Sequence, residues 1–377
     1  MEDCPMKQCR ILIVGAGLAG LALARALGYA GFTPELLERE PYWDIAGTGM
    51  YLPANGVRAL RALGLEEAVT ARAAPISHQR LLDHRGRLLA DIDLHQLWGE
   101  VGPCLALPRA DLHQVLREDM PVRLGQSVRS LDRLDGPVQV TLDDGSAGEF
   151  DLVVGADGLR SAVRRLAVDP RPPAAVGQHS WRFLAACPPR VTTWTVLLSR
   201  RTSFLTVPVG HGLVYCYADL TTDSAASRHP DGDPVGQLRE RFAGFAAPVP
   251  QLLGQLRDPA RIYAAPIEQV AEERWGRGAV VLVGDAAHGM SPNMAQGAAL
   301  AFEDALVLAA CMRAAGTVSD AMGAFVARRS RRTGWVRAQT HRRDQTRNLP
   351  PILRDLTLRA FGRQIFRSNY RPLLEPF

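Results

Sequence analysis

The chain has 377 residues, 47% hydrophobic and 22% charged, with a formal net charge of +5. That length accommodates about two domains with full cores, and such ordinary proportions exclude a disordered, collagen-like or disulfide-scaffold protein. The modest basic excess, without an aromatic-interleaved basic run, excludes a nucleic-acid binder; six cysteines without C-x-x-C pairing or metal-ligand clustering read as free thiols in a reducing, cytoplasmic compartment, with no metal site.

The first element is the aliphatic run Ile11 to Val14, expected of a strand buried on both faces of a parallel sheet. Gly15, Gly17 and Gly20 follow at the spacing of a dinucleotide-binding turn: a tight turn, a close backbone approach to pyrophosphate, and close helix–strand packing. Leu18 and Ala19 open the helix, whose free N–H groups and positive dipole end suit phosphate. A secretory leader over residues 11 to 30 is the competing reading; the glycine spacing, Arg25 and a downstream acid argue against it. The strand Pro34 to Leu37 ends at Glu38, where a carboxylate would accept hydrogen bonds from a ribose diol. Arg39 beside it suits an adenine face or, equally, solvent.

Asn55 to Leu65 carries apolar residues at helical spacing, residues 73 to 99 are strand-like with a turn at Asp83 to Gly86, and Leu105 to Met120 reads as strand then helix. Residues 121 to 150 look like short antiparallel strands turning at Asp143-Asp144-Gly145. A second junction, DLVVGADGLRSAVRR, covers residues 151 to 165. Strand follows strand from Trp181 to Leu220, Val235 to Leu256 looks helical, and a third junction, VVLVGDAAHGMSPNMAQGAALAFEDALVLA, covers 280 to 309. Helix is expected from there to the end. The arginine-rich stretch Arg328 to Arg347 reads as a solvated helix face, or else as guidance for an anionic substrate or nicotinamide phosphate. No run approaches the uninterrupted apolar length of a membrane span.

Three strand-to-helix junctions in this order fit one bound dinucleotide. They resemble the GxGxxG, DG and GD motifs of the class A flavoprotein monooxygenases, the aromatic hydroxylases that include para-hydroxybenzoate hydroxylase. The similarity runs from about residue 9 to about residue 345. It implies an α/β fold with an α+β insertion: a Rossmann-like FAD-binding domain (1–72, 100–175, 263–340), an interleaved, mostly β substrate domain (73–99, 176–262), and a helical C-terminal segment (341–377). Carried over, Gly15, Gly17, Gly20 and Glu38 would hold the ADP half of FAD. Segment 47–60 would lie beside the flavin, Arg109 would hold the ribityl–pyrophosphate region, and Asp157 would serve the pyrophosphate and the nicotinamide cofactor. Gly284 ends the third strand, Asp285 would accept a ribityl hydroxyl, and Pro292 would lie over the ring. Gln296, Gly297, Ala298 and Ala299 would open a long helix whose N–H groups face the flavin edge where negative charge develops on reduction.

Relatives commonly read GQGANLALEDA where this chain has Ala295 at the first glycine and Ala299 at the asparagine. The first change costs backbone freedom and the second removes an amide. A bare N-cap remains the competing reading of Asp285, and a structural histidine that of His288. The implied chemistry is NAD(P)H reducing FAD, then O2 delivered through a flavin C4a-hydroperoxide to an aromatic or polycyclic small molecule. Epoxidation or oxidative rearrangement of a natural-product scaffold is the alternative, and a non-oxygenating FAD protein a remoter one. The protein would be a monomer or homodimer. His78, His95, Tyr215 and Tyr217 are candidate bases, each competing with a packing role. Tyr51, Trp181, Phe183, Phe204, Tyr215 and Tyr217 would furnish an aromatic pocket, with Tyr215 and Tyr217 closest to the chemistry.

Overall fold

The computed structural model describes residues 8–43, 47–222, 232–347 and 349–377. Its central sheet has the order Gly276–Arg277, Val280–Leu282, Leu152–Gly155, Ile11–Val14, Glu35–Glu38, Arg123–Leu124. All pairings are parallel except at the first edge. Ile11 to Val14 lies in the middle and is buried throughout, which explains its unbroken aliphatic sequence. Three of the strands are those of the three junctions, so their C-terminal ends share one edge.

The helices are α1 (Leu18–Tyr29), α2 (Ala54–Ala62), α3 (Glu66–Thr70), α4 (Leu94–Trp98), α5 (Arg109–Arg117), α6 (Pro234–Arg241), α7 (Val249–Gln255), α8 (Asp285–His288), α9 (Gly297–Ala314), α10 (Val318–Arg347) and α11 (Pro351–Tyr370). The α9 helix packs against α1, α2 and α10. Expected helix over Val235 to Leu256 forms as two short helices, and beyond the third junction the described chain is helical as expected, through α10 and α11.

A seven-stranded sheet stands beside this unit, in the order Tyr263–Gln269, Ala174–Ala186, Leu213–Thr221, Thr202–Gly210, Trp194–Leu198, His78–Asp83, Leu88–Asp93. Tyr263–Gln269 belongs to it, so the sheet extends past the boundary expected at residue 262. The small sheet of Gly49–Leu52, Leu105–Pro108 and Ala74–Pro75 links the two. A fourth sheet is the expected meander of Val128–Asp132, Val138–Leu142 and Ala147–Phe150.

Register decides which aromatic residues face the nucleotide unit. Arg182 pairs with Tyr217, Leu184 with Tyr215, and across the next strand Leu205 with Tyr217. Directly opposed residues share a face, so this is the inner face. Trp181, Phe183 and Phe204 have the other parity. They are buried against α6, α7, Phe242 and Phe245, with Phe204 and Phe242 rings 5.4 Å apart. The six-residue pocket is therefore corrected: these three build the outer core, because a period of two sends neighbours to opposite faces. Tyr51 stays on the inner side, 4.3 Å from Trp194. His78 shares the outer parity and its Nδ1 lies 2.9 Å from Asp91; His95 is exposed on α4. Neither histidine reaches the inner face.

The arginine-rich stretch is also corrected. Arg329 is 1% exposed, with Nε 2.7 Å from Asp304 and Nη1 2.8 Å from Glu303, both acids themselves fully buried. Arg332 donates to Glu303, and Arg343 to the Asn293 carbonyl and the Tyr370 hydroxyl. Arg347 pairs with Asp219 of the seven-stranded sheet. One stripe of α10 thus faces inward, because α9 presents two buried carboxylates that require counter-charges.

Candidate active site

The three junctions converge on one spot. Gly15, at φ +102°, leaves no room for a Cβ, which would lie 2.7 Å from the Asp157 Cα. A Cβ on Gly284 (φ +59°) would lie 2.9 Å from that of Ala19. A Cβ on Gly20 would sit 1.8 Å from the Gly15 carbonyl oxygen, so α1 reaches its strand only with glycine there. On Gly17 it would meet nothing within 4 Å. Space therefore lies in front of this turn, and the first amide satisfied within α1 is that of Leu21. The amides of Leu18, Ala19 and Gly20 precede it.

Glu38 closes one side of this cradle. Its Oε2 accepts from the Ala16 N–H at 2.9 Å and its Oε1 from the Glu40 N–H at 3.1 Å. Arg39 is exposed, against Glu40. Asp157 is largely committed: Oδ2 accepts from Ala162 and Val163 at 2.7 and 3.2 Å, while the shielded Oδ1 has no partner among the described residues. Burial pushes its pKa up despite these bonds.

The third junction offers a different surface. Asp285 is exposed at the first turn of α8 and its side chain caps no helix. Its Oδ1 lies 3.8 Å from the point a Cβ on Gly297 would occupy, so the carboxylate faces the start of α9. The first amide satisfied there is Leu300, donating to the Gln296 carbonyl at 2.9 Å. Gln296 spends its side-chain amide on buried Asn55, which also donates to Glu303 at 3.0 Å. Ala299 is fully buried against Gly56 of α2. Gln296 and Ala299 therefore offer a ligand backbone rather than side chain, while Gly297 is exposed.

His288 lies beneath this surface, 1% exposed, with Nε2 2.7 Å from Asp304 Oδ2. Burial alone would lower the imidazole's pKa; the Asp304 charge and hydrogen bond outweigh it and hold it above its usual value. Pro292 is exposed at the head of a single 3-10 turn, Pro292–Met294, and Ala295 follows in left-handed backbone at φ +49°.

On the substrate side, the Gly49 backbone is so close to Tyr215 that a Cβ there would lie 2.4 Å from the tyrosine's own. Arg109, exposed at the start of α5, has its backbone N–H on the Thr48 carbonyl at 2.8 Å. The Arg182 guanidinium lies 5.5 Å from the Tyr217 ring and 5.7 Å from that of Tyr263. The Tyr217 hydroxyl is buried without a partner among the described residues. Burial pushes its pKa to about 12, against the pull of Arg182 and Arg347.

The FAD binding domain family matches residues 8–333. The chain belongs to the FAD-dependent class A flavoprotein monooxygenases. It is 34% identical to the aurachin C monooxygenase/isomerase of Stigmatella aurantiaca, over 88% of each chain. It is also 34% identical to the 2-heptyl-3-hydroxy-4(1H)-quinolone synthase of Pseudomonas aeruginosa, over 79% of each. The solved structure of Klebsiella pneumoniae HpxO with FAD and uric acid superposes with a TM-score of 0.88 at 25% identity, covering 97% of both chains. The enzyme is accordingly an NAD(P)H-dependent flavoprotein monooxygenase of aromatic or specialised metabolism, with FAD as cofactor and O2 as co-substrate. No helix among the described residues is long and apolar enough to cross a membrane, and among them no cluster of acids, histidines and cysteines suits a metal ion.

Sequence reading missed Asp344. Its Oδ1 accepts from Gln178 at 3.0 Å, from Ser291 at 3.3 Å and from Asn293. Its only sequence signal is an acid within a run of arginines. The pair Glu303-Asp304 was the stronger clue overlooked: adjacent acids inside an apolar helix demand partners.

Proposed function

We propose that this enzyme hydroxylates an aromatic ring bearing an ionisable O–H or N–H, a hydroxyquinoline, hydroxypyridine or aminophenol. The observation that carries this is the meeting of the three junctions opposite a sheet face that presents Tyr215, Tyr217 and Arg182. The names of the relatives, among them a synthase of a 3-hydroxy-4(1H)-quinolone, support the same class. Bound FAD would supply the electrons from NAD(P)H and the activation of oxygen.

The protein's own part is binding, orientation and exclusion of water. In this reading the amides of Leu18, Ala19 and Gly20, with Gly15 and Gly17, hold the pyrophosphate, Glu38 the ribose and Arg39 the adenine side. Arg109 and Asp157 support the pyrophosphate end, and Asp285 with Gly284 holds the ribityl chain. The backbone of Gln296, Gly297, Ala298 and Ala299 stabilises charge at the flavin edge. Pro292 faces the ring, and Tyr215 and Tyr217 wall the substrate. The nucleotide unit and the seven-stranded sheet then act as cofactor and substrate domains, with the C-terminal helices bracing both. A cytoplasmic location is supported by the free thiols of Cys104, Cys187, Cys216 and Cys311; Cys4 lies outside the described residues. A monomer or homodimer suffices, since these groups all come from one chain.

The test is a panel of 4-hydroxyquinolines, hydroxypyridines, aminophenols and non-ionisable anisole controls, scored for stimulated NAD(P)H oxidation and for label from 18O2 in the product. Labelled hydroxylated product from the ionisable members alone is expected. Equal turnover of the anisoles would overturn the substrate class.

A further inference from the structure

Three donors converge on a single oxygen of Asp344, near the C-terminal end of α10. Gln178 comes from the seven-stranded sheet, and Ser291 and Asn293 flank Pro292 in the third junction. All three reach Oδ1. Oδ2 takes none of them, and the residue is only half-buried. A carboxylate held in this way keeps its position whether or not Oδ2 carries a proton, because the anchoring oxygen is the other one.

It sits where the third junction meets the seven-stranded sheet. On one side lies the Pro292 turn, fixed also by Arg343, which donates to the Asn293 carbonyl at 2.8 Å. On the other lies Gln178, which shares the parity of Arg182 and so the inner sheet face that also carries Tyr217. The titratable and charged neighbours are Tyr217, with Arg182 against its ring, and His341, Arg343 and Arg347 of the same helix. Arg347 is committed to Asp219 and Ser203, and His341 lies 3.2 Å from Gln269. Tyr217, raised to about 12, is a poor acceptor near neutral pH. Burial raises the Asp344 pKa, with the bonds from Gln178, Asn293 and Ser291 opposing, which moves a carboxylate toward the range useful for proton transfer.

We propose that Asp344 is the substrate's proton acceptor, its Oδ1 fixed by the cofactor turn and the sheet and its Oδ2 open to the ring O–H or N–H of the bound aromatic. The proton passes from the ring heteroatom to Oδ2. The electron pair left behind enters the ring and raises its nucleophilicity toward the oxygen supplied at the cofactor. After transfer the proton returns to the product or to solvent, restoring the carboxylate. The inference rests on the function proposed above.

Asp344→Asn tests it, since the side-chain amide keeps an Oδ1 acceptor for the three donors yet takes up no proton. FAD content and FAD affinity should match wild type. Hydroxylation of the best 4-hydroxyquinoline or phenol of the panel should fall about 100-fold or more at neutral pH, the usual scale of general-base catalysis. Above the probe's own pKa the variant should approach wild type, because the substrate then arrives as its anion; a purely structural role gives no such rescue. Binding supplies a second readout: difference spectra should show the probe bound as its anion below its solution pKa in wild type, and neutral in Asp344→Asn. Asp344→Ala, which also removes the anchor, should weaken FAD binding as well.

A variant matching wild type in rate, pH profile and bound-probe spectrum overturns the assignment of Asp344 alone. A uniform loss without alkaline rescue also overturns it, in favour of a positioning role. If wild type oxygenates no ionisable aromatic of the panel, the functional reading falls and this one with it.

Discussion

His288 and Asp304 form a buried pair under the third junction, with Nε2 2.7 Å from Oδ2 and side chains 1% and 0% exposed. The same Oδ2 accepts from the Gly284 N–H at 2.8 Å, so one carboxylate oxygen fixes both the histidine and the turn that presents Asp285. Arg329 holds the other oxygen. This makes His288 a strut for the cofactor surface rather than a group at the chemistry.

His288→Ala should therefore remain yellow and keep measurable turnover while losing stability. Removing one member of a buried pair costs about 3 kcal/mol at the low end of such measurements, and Asp304 retains Arg329 here. Since the folded imidazole's pKa is raised, its contribution is full below the unfolded value of about 6.5. It fades as pH rises through the folded value. Denaturant titrations of both proteins across pH 5 to 10 measure this. A variant that is reduced normally but never oxygenates would make His288 a participant after all.

The strand–glycine–helix pattern at all three junctions was legible because the aliphatic run, the glycines and the helix period lie within one short segment, even though Gly15 and Gly284 are crowded by Asp157 and Ala19, far away in sequence. Gly20 is required by a carbonyl within its own motif, and such constraints are written in short segments. The inner and outer faces of the seven-stranded sheet were not legible. Trp181 and Tyr217 are equally aromatic, and only cross-strand register, set by partners far away in sequence, assigns them to opposite sides. Arg329 and Asp344 failed for a related reason. A charge is read as solvated unless its partner is known, and theirs lie 25 and 166 residues away.

Glu38→Ala should weaken FAD about 10- to 100-fold, since hydrogen bonds to a charged group are worth about 1.5–3 kcal/mol. Part of the effect comes from the protein itself, because Glu38 also ties down the Ala16 amide. Equilibrium dialysis of the apoprotein with FAD gives the value. The Asp285 carboxylate accepts from no donor among the described residues, so Asp285→Ala should lose FAD occupancy without lowering apoprotein stability. Unchanged FAD affinity in Glu38→Ala would detach this residue from the nucleotide.

Ala295→Gly should stabilise the apoprotein slightly. Left-handed backbone at φ +49° costs an alanine about 1–2 kcal/mol, and the greater freedom of glycine in the unfolded chain takes back about 0.4–1 kcal/mol. A net gain of up to about 1.6 kcal/mol, centred on ~0.8, remains, readable by chemical denaturation. Loss of stability would mean that the Ala295 methyl group, packed against the inner cluster, matters more than the strain.

Coupling of NAD(P)H use to product depends on keeping water from the oxygen activated at the cofactor, which otherwise escapes as hydrogen peroxide. Tyr215 and Tyr217 share the inner face, but their surroundings differ. Tyr215 packs on the Gly49 backbone, beside the segment expected along the flavin. Tyr217, 8% exposed, carries a buried hydroxyl without a partner among the described residues. Truncating either to alanine should raise peroxide formed per NAD(P)H consumed, while FAD content stays normal because the glycine turns and Glu38 are untouched. Tyr217→Phe, which keeps the ring, should stay closer to wild type than Tyr217→Ala if bulk excludes the water. The measurement is a peroxide assay alongside product quantification for the best substrate of the panel. Full coupling in both alanine variants would mean that neither ring lines the chamber, and that the wall is built by Leu184, Leu205 and the Pro292 turn instead.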